Sequence, residues 1–349
     1  MTIANTNHSP HKLKEPVNVL RKPVLTGYWH NWHTEAAPYL SLRDIPPAFD
    51  VVNIAFATAD PRQPGSLVFE PWGYTSPRQF KADIATLQRS GRKVLISVGG
   101  ANGSLGLENL PARKNFVAAL DSILSKYEFD GVDINLEGTI HLVPGDKDLS
   151  NPISPSVIHL IEALRLLKKC FGNNFTLSLA PQVACVQGGF SGYGGQQGAY
   201  LPVIEHLRDI LNLVHVQHYN AEPQKALDGQ IYRPDDPDFH AAMTEMLLAG
   251  FSPAGKSSHF FAGLEPRQVS VGLPARREIV QNGYLPESLL KEFPWQMAGK
   301  SNHNRQYKLQ NPSGYPGFGS LMTWSINWDA VNKNCFSTSA RASLDSLQA

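Results

Sequence analysis

Three polar residues, Asp133, Asn135 and Glu137, occupy alternate positions in the otherwise apolar segment 129–139, FDGVDINLEGT. Side chains alternate between the two faces of a strand, so these three share one face at intervals of about 6.6 Å. A buried carboxyl group near another acid resists ionisation, because desolvation and like charge both disfavour the anion. Glu137 is therefore predicted to remain protonated near neutral pH and to donate its proton to a leaving oxygen as a general acid.

The alternative is an internal polar cluster that only forms hydrogen bonds. A single carboxylate would favour that interpretation, whereas three polar residues at period two favour catalysis.

The elements that position these residues are eight short apolar segments rich in β-forming residues. They predict strands over 23–29, 51–57, 93–100, 131–137, 175–181, 213–220, 268–275 and 318–325. Helical periodicity separates most of them, which indicates parallel strands joined by right-handed crossovers. Eight such units most simply close into a (β/α)8 TIM barrel, and Glu137 then lies at the carboxyl end of strand four, where barrel active sites lie.

A doubly wound open sheet is the alternative fold. It requires a glycine-rich phosphate turn after an early strand, and no G-x-G-x-x-G opens a helix after strand three.

Two helices carry clear end signals. Residues 78–91 have apolar side chains three and four positions apart, and Gly91 is a stop. In residues 154–172, Ser154 is predicted to cap the free amides, Pro155 suits the first helical position and Gly172 suits a left-handed residue after the end.

The composition disfavours several classes of partner. The 349 residues include 31 Lys and Arg against 30 Asp and Glu, with no run of one sign. Nucleic acid and anionic membrane surfaces are therefore not expected partners, and no apolar stretch approaches the ~20 residues that span a bilayer. The three cysteines form no CxxC pair and the 12 histidines no HExxH motif, so no metal or other cofactor is expected.

Two parts of the chain are distinguished. Residues 1–20 are predicted to be a polar leader, without the apolar centre of a secretory signal. Residues 21–349 are predicted to form one catalytic barrel domain.

The segment DGVDINLE, residues 130–137, resembles the D-G-x-D-x-D-x-E signature of the family 18 glycoside hydrolases, the chitinases and their relatives. SVGG at 97–100 is similar to the family's S-x-G-G on strand three, and QHYN at 217–220 to its Q-x-Y-N on strand six. TWSINWD at 323–329 is similar to the strand-eight segment, and the GYWHNW opening to bacterial chitinases. The resemblance covers roughly residues 23–330.

This resemblance implies retaining hydrolysis of β-1,4-linked N-acetylglucosamine polymers, in which the substrate supplies the nucleophile. By similarity Glu137 protonates the glycosidic oxygen and later activates water. The middle acid of the signature orients the acetamide, helped by the hydroxyl of Tyr219, and Trp324 forms the floor beneath the sugar. Gln217 and Asn220 are the expected hydrogen-bond partners in the same subsite.

Further contacts with chitin or chitooligosaccharides are also expected. The residues assigned to this role are Tyr28, Trp32, Phe56, Gly100 and Gln182. Trp29 and Trp72 are further candidates for stacking on sugars, with ordinary packing as the alternative.

Asn135 departs from the family signature, which has Asp at this position. A neutral amide still accepts the acetamide N–H but supplies no charge to balance a positive intermediate, so the expected loss is on the order of 10- to 1000-fold in rate. Two explanations stay open: a native feature of a slower enzyme, or a replacement that preserves the shape of the site.

Residues 276–317 hold one predicted helix and leave little room for the α+β subdomain that some family members insert there. An open groove and endo-acting cleavage are therefore expected, by an extracellular monomer. The alternatives are a catalytically weak chitin-binding lectin and an endo-β-N-acetylglucosaminidase that acts on N-glycans.

Overall fold

The protein is a closed barrel of eight parallel strands. The structure, a computed structural model, describes residues 20, 23–73, 75–101, 105–254, 259–300 and 305–347; all but the last residue of the predicted leader lies outside them. The barrel strands are β1 (Val24–His30), β2 (Val51–Ala59), β3 (Lys93–Gly99), β4 (Gly131–Asn135), β5 (Thr176–Leu179), β6 (Leu213–Gln217), β7 (Val269–Pro274) and β8 (Ser320–Trp324). Each strand pairs in parallel with the next, and β8 pairs with β1, so the predicted (β/α)8 barrel is confirmed.

Helices cover the outside of the barrel. They are α1 (Pro77–Arg89), α2 (Leu110–Tyr127), α3 (Pro155–Phe171), α4 (Leu201–Leu207), α5 (Phe239–Ala249), α6 (Glu287–Met297), α7 (Ile326–Val331) and α8 (Cys335–Ser346). The first crossover holds the 3-10 turn Leu42–Asp44 instead of an α-helix, and α7 and α8 pack against β1 from the other end of the chain. The stops predicted after α1 and α3 are confirmed, since Gly91 and Gly172 have φ of +88° and +73°.

The cap predicted at Ser154 is wrong. Its hydroxyl donates to Asp146 over 2.5 Å and accepts a hydrogen bond from the amide of Val143, and it makes no bond to the first turn of α3. The hydroxyl bonds to the buried carboxylate of Asp146 instead, because a buried carboxylate left without donors costs more free energy than a lost cap.

The connection from β7 to β8 is short. Among the described residues between these strands, the regular elements are the 3-10 turn Arg277–Ile279 and α6, with no strand between them. An inserted α+β subdomain is therefore not seen in this part of the chain, as predicted. No helix in the described residues is both long and apolar enough to cross a membrane.

The barrel interior is layered from one end to the other. Small and medium apolar side chains fill the amino-terminal end, namely Val24, Val51, Leu95 and Leu213. Above them lies a polar layer centred on Asp133, and aromatic side chains follow at the carboxyl end. The apolar side chains on the other strand face pack under the helices, so the site rests on a rigid scaffold.

Candidate active site

A cleft of about 410 Å³ opens at the carboxyl ends of the strands. Its lining contains every predicted site residue except Asp133, Tyr28 and the two further stacking candidates, Trp29 and Trp72. The lining residues are Trp32, Phe56, Thr58, Gly99, Gly100, Ala101, Asn135, Glu137, Gln182, Gln217, Tyr219, Asn220, Ile279, Val280 and Trp324. Residues distant in sequence therefore meet at one place, as the (β/α)8 topology requires.

Glu137 lies in the turn that follows β4. The predicted strand over 131–137 ends earlier, at Asn135, but the alternation continues and brings the half-buried carboxyl group into the cleft. Burial raises the pKa of Glu137, and the side-chain hydrogen bond from Gln217 opposes that shift. Nε2 of Gln182 lies 3.4 Å from Oε2 of Glu137, and Nε2 of Gln217 lies 3.4 Å from Oε1. Glu137 is thus held as a carboxyl group that keeps its proton to higher pH than usual.

Asp133 lies below the cleft and is fully buried. One oxygen, Oδ2, accepts from the Tyr28 hydroxyl over 2.5 Å and from the Ser97 hydroxyl over 2.7 Å. The other, Oδ1, accepts from the Ser178 hydroxyl over 2.6 Å and lies 3.2 Å from Nε2 of His215. Four partners thus occupy the hydrogen-bonding positions of one carboxylate.

Asn135 lies between the two acids, 4% exposed and on the cleft wall. Its Oδ1 accepts from Nε2 of Gln217 over 3.1 Å, and the same Nε2 lies 2.9 Å from the carbonyl oxygen of Ala180. The backbone carbonyl of Asn135 accepts from the amide of Gly100. These bonds fix the carboxamide at the position where the family signature has a carboxylate.

Tyr219 and Asn220 follow the end of β6. Burial and the negative charges of Glu137 and Asp133 raise the pKa of the Tyr219 hydroxyl, so it stays protonated and can donate a hydrogen bond. Asn220 is exposed, with φ of +49°, and its side-chain oxygen accepts from the amide of Gln281. Asn220 therefore also ties the β6 end to the loop after β7.

An aromatic floor lies beside Glu137. Trp324 and Phe56 stack at 5.7 Å with an interplanar angle of 11°, and Trp32 stacks on Phe56 at 6.1 Å and 25°. His30 supports Trp32 from below at 4.4 Å and 10°. Gly100 has φ of +81°, and an added Cβ would lie 2.7 Å from the Phe56 ring, so only glycine fits there.

Three further aromatic predictions have different outcomes. Trp29 is fully buried, donates to the carbonyl of Leu40 and packs against Phe80, so its interpretation as a sugar contact is wrong. Trp72 is 46% exposed but does not line the cleft. Tyr28 is 1% exposed and supports Asp133 from within the barrel.

Sequence reasoning missed two groups of residues. Ser97, Ser178 and His215 all bond to Asp133, and each lies at an inward position of its strand, so the same alternation that singled out Asp133 could have identified them. Ile279 and Val280 line the cleft from the loop after β7, where no periodic pattern exists. No group of three metal-ligating side chains is found within the described part of the chain.

Comparison with known proteins agrees with this geometry. The model of the Glycosyl hydrolases family 18 matches residues 24–329. Chitinase Chi52 of Paenibacillus xylanexedens is 44% identical over 325 residues and Chitinase D of Niallia circulans 45% over 328; each alignment covers 93% of this chain but 62% of the relative. The crystal structure of a family 18 chitinase from Chromobacterium violaceum has a TM-score of 0.85 at 35% identity, over 95% of this chain and 85% of that one. The chain therefore belongs to family 18 of the glycosyl hydrolases.

Proposed function

We propose that the protein is a chitinase that hydrolyses β-1,4 linkages between N-acetylglucosamine units with retention of configuration. One observation carries this proposal: Glu137 is the single acid among the described residues that line the cleft. A two-carboxylate retaining mechanism requires a second carboxyl group about 5 Å away that faces the sugar. Asp133 cannot serve, because it is fully buried and its oxygens are occupied. The nucleophile is then the acetamido oxygen of the substrate itself.

The reaction has two steps. Glu137 protonates the glycosidic oxygen while the acetamido carbonyl oxygen attacks C1, which breaks the C1–O bond and forms an oxazolinium ion. Water then attacks C1 and opens this ion, and Glu137 takes the proton from that water. The raised pKa of Glu137 suits the first step, since the acid must hold its proton at the working pH.

The cleft can stabilise the positive intermediate. The side chain of Asn135 faces the cleft and is proposed to bond the acetamide. The Tyr219 hydroxyl is a neutral donor in the same cleft. The stacked rings of Trp324 and Phe56 offer an apolar surface to a sugar face.

The short connection between β7 and β8 supports an open groove and cleavage within the polymer chain. Chitin and chitooligosaccharides are the proposed substrates, and because polymeric chitin cannot enter a cell, we place the activity outside it. A monomer suffices for this mechanism.

Hydrolysis of chitohexaose tests the proposal, with products followed by chromatography and their anomeric form by proton NMR. Early appearance of trimer and tetramer with the β-anomer is expected. Release of disaccharide alone would contradict the endo mode, and an initial α-anomer would contradict the mechanism.

The neutral side chain of Asn135 favours a second candidate, a chitin-binding lectin with little turnover. Binding of chitohexaose by calorimetry without hydrolysis over days would support the lectin. Cleavage of a high-mannose glycopeptide in place of chitohexaose would instead indicate an endo-β-N-acetylglucosaminidase.

A further inference from the structure

His215 is a buried group for which the proposed reaction has no stated use. It lies on β6 at an inward position two residues before Gln217 and is fully buried. Its Nε2 is 3.2 Å from Oδ1 of Asp133. The other three partners of that carboxylate are the hydroxyls of Tyr28, Ser97 and Ser178. His215 is therefore the one partner among the four that can carry a positive charge.

The arrangement suits an ionised Asp133. A carboxylate accepts about four hydrogen bonds, and four partners surround this one. An ionised carboxylate donates nothing, so Nε2 of His215 must carry the proton of that bond. Nδ1 of His215 is buried and has no hydrogen-bond partner within the described residues. The contact with Asp133 therefore decides which of the two ring nitrogens carries the hydrogen.

This arrangement matters because residue 135 is an amide. Asn135 lies on β4 two residues after Asp133, and its Oδ1 already accepts a hydrogen bond from Gln217. No negative charge can come from residue 135 itself. Besides Glu137, which becomes an anion only after it has given its proton to the leaving oxygen, the charge beneath the sugar is then that of Asp133. Charges act over longer distances in a buried, low-dielectric site than in water.

We propose that His215 is a positioning residue: through its bond to Oδ1 it holds the Asp133 carboxylate in a fixed orientation beneath Asn135. Asp133 then supplies the negative charge that opposes the oxazolinium ion. The inference rests on the proposed function, because it assigns a role in that same reaction.

A matched pair of variants tests the bond. In His215→Gln the amide nitrogen reaches the place of the imidazole Nε2, whereas in His215→Asn it reaches only that of Nδ1. Both variants keep a neutral amide inside the barrel. We expect kcat on chitohexaose to fall about 10- to 100-fold in His215→Asn, the rate equivalent of one hydrogen bond to a charged group, and to stay within about threefold of the parent in His215→Gln. KM should stay within about threefold in both variants. Equal losses of kcat in the two variants would overturn the proposal.

The same pair in an Asn135→Asp background separates a charge role from a packing role. There residue 135 carries the charge, so the loss caused by His215→Asn should shrink to less than about threefold. An undiminished loss would mean that His215 only fills space.

Infrared difference spectra make the test independent of turnover. Protein with ¹³C-labelled aspartate is compared with its Asp133→Asn variant at neutral pH, which isolates the band of Asp133. We expect a carboxylate band in the parent whose frequency shifts in His215→Asn, where the hydrogen bond to Oδ1 is lost, and stays close to that of the parent in His215→Gln. A protonated Asp133 in the parent would overturn the inference even if His215→Asn fails to fold. The parent protein could show an ionised Asp133 and yet fail to cleave chitohexaose. That result would refute the proposed function but not the bond between His215 and Asp133.

Discussion

Replacing Asn135 by aspartate adds a negative charge at the point where the acetamide of the substrate is expected to bind. The surrounding structure is ready for it: Nε2 of Gln217 already donates to the side-chain oxygen over 3.1 Å, and the residue is 4% exposed. The change is nearly isosteric, so the cleft should keep its shape. A bond to a charged group is worth about 1.5–3 kcal/mol against about 1 kcal/mol for a neutral one. Fixed charges in water-excluded sites contribute up to about 4 kcal/mol to transition-state stabilisation.

The expected result is a rise in kcat of about 10- to 1000-fold on chitohexaose with little change in KM, because the charge acts on the intermediate and not on the ground state. The added charge should also raise the pKa of Glu137, so the alkaline limb of the pH profile moves to higher pH. Steady-state kinetics over pH 4–9 measure both effects. Asn135→Ala is the control, since it removes the acceptor without adding charge and should lower kcat. An Asn135→Asp variant no faster than the parent would refute the assigned role of residue 135.

Three further predictions concern Tyr219, Gly100 and His240. Tyr219→Phe keeps the ring but removes the hydroxyl, so kcat should fall about 10- to 100-fold. The affinity for chitohexaose, measured by calorimetry, should change little. A loss confined to affinity would contradict the role of Tyr219. Gly100→Ala places a Cβ 2.7 Å from the Phe56 ring and should cost about 1–3 kcal/mol in denaturant unfolding, more than the control Gly73→Ala, whose Cβ would meet no atom within 4 Å. Burial lowers the pKa of His240 to about 4, so below about pH 6.5 the unfolded state binds a proton that the folded state does not, and the free energy of unfolding falls as the pH falls. Between pH 7.5 and 4 the free energy of unfolding of the parent should decrease by about 3 kcal/mol more than that of His240→Asn. Equal decreases would show that His240 is not held neutral.

Much of the fold follows from the sequence because barrel strands have a strong pattern. Both faces of such strands are covered, so each appears as a short apolar run, and the polar exceptions on β4 mark the lumen. The strand ends follow less closely from the sequence: β4 was predicted to reach Glu137 but stops at Asn135, because the chain turns there and carries Glu137 into the cleft. The first crossover could not be foreseen either, since α7 and α8, which pack against β1, come from the opposite end of the chain.

The site residues likewise include some that the sequence identified and others that it did not. Glu137, Asn135 and Tyr219 were identified because strand alternation and motif register place them at strand ends. Ile279 and Val280 were not, because the loop after β7 is fixed by tertiary contacts such as the bond from the Gln281 amide to Asn220. Local sequence carries no record of such contacts.

In the proposed reaction Glu137 is both the acid and the base, and the substrate supplies the nucleophile. Hydrolysis of chitohexaose by Glu137→Gln tests it most directly, with calorimetric binding of the same oligosaccharide as the control for an intact cleft. We expect kcat to fall about 100- to 10,000-fold with binding retained, because the amide cannot give up a proton. Hydrolysis at the parent rate by this variant would contradict it.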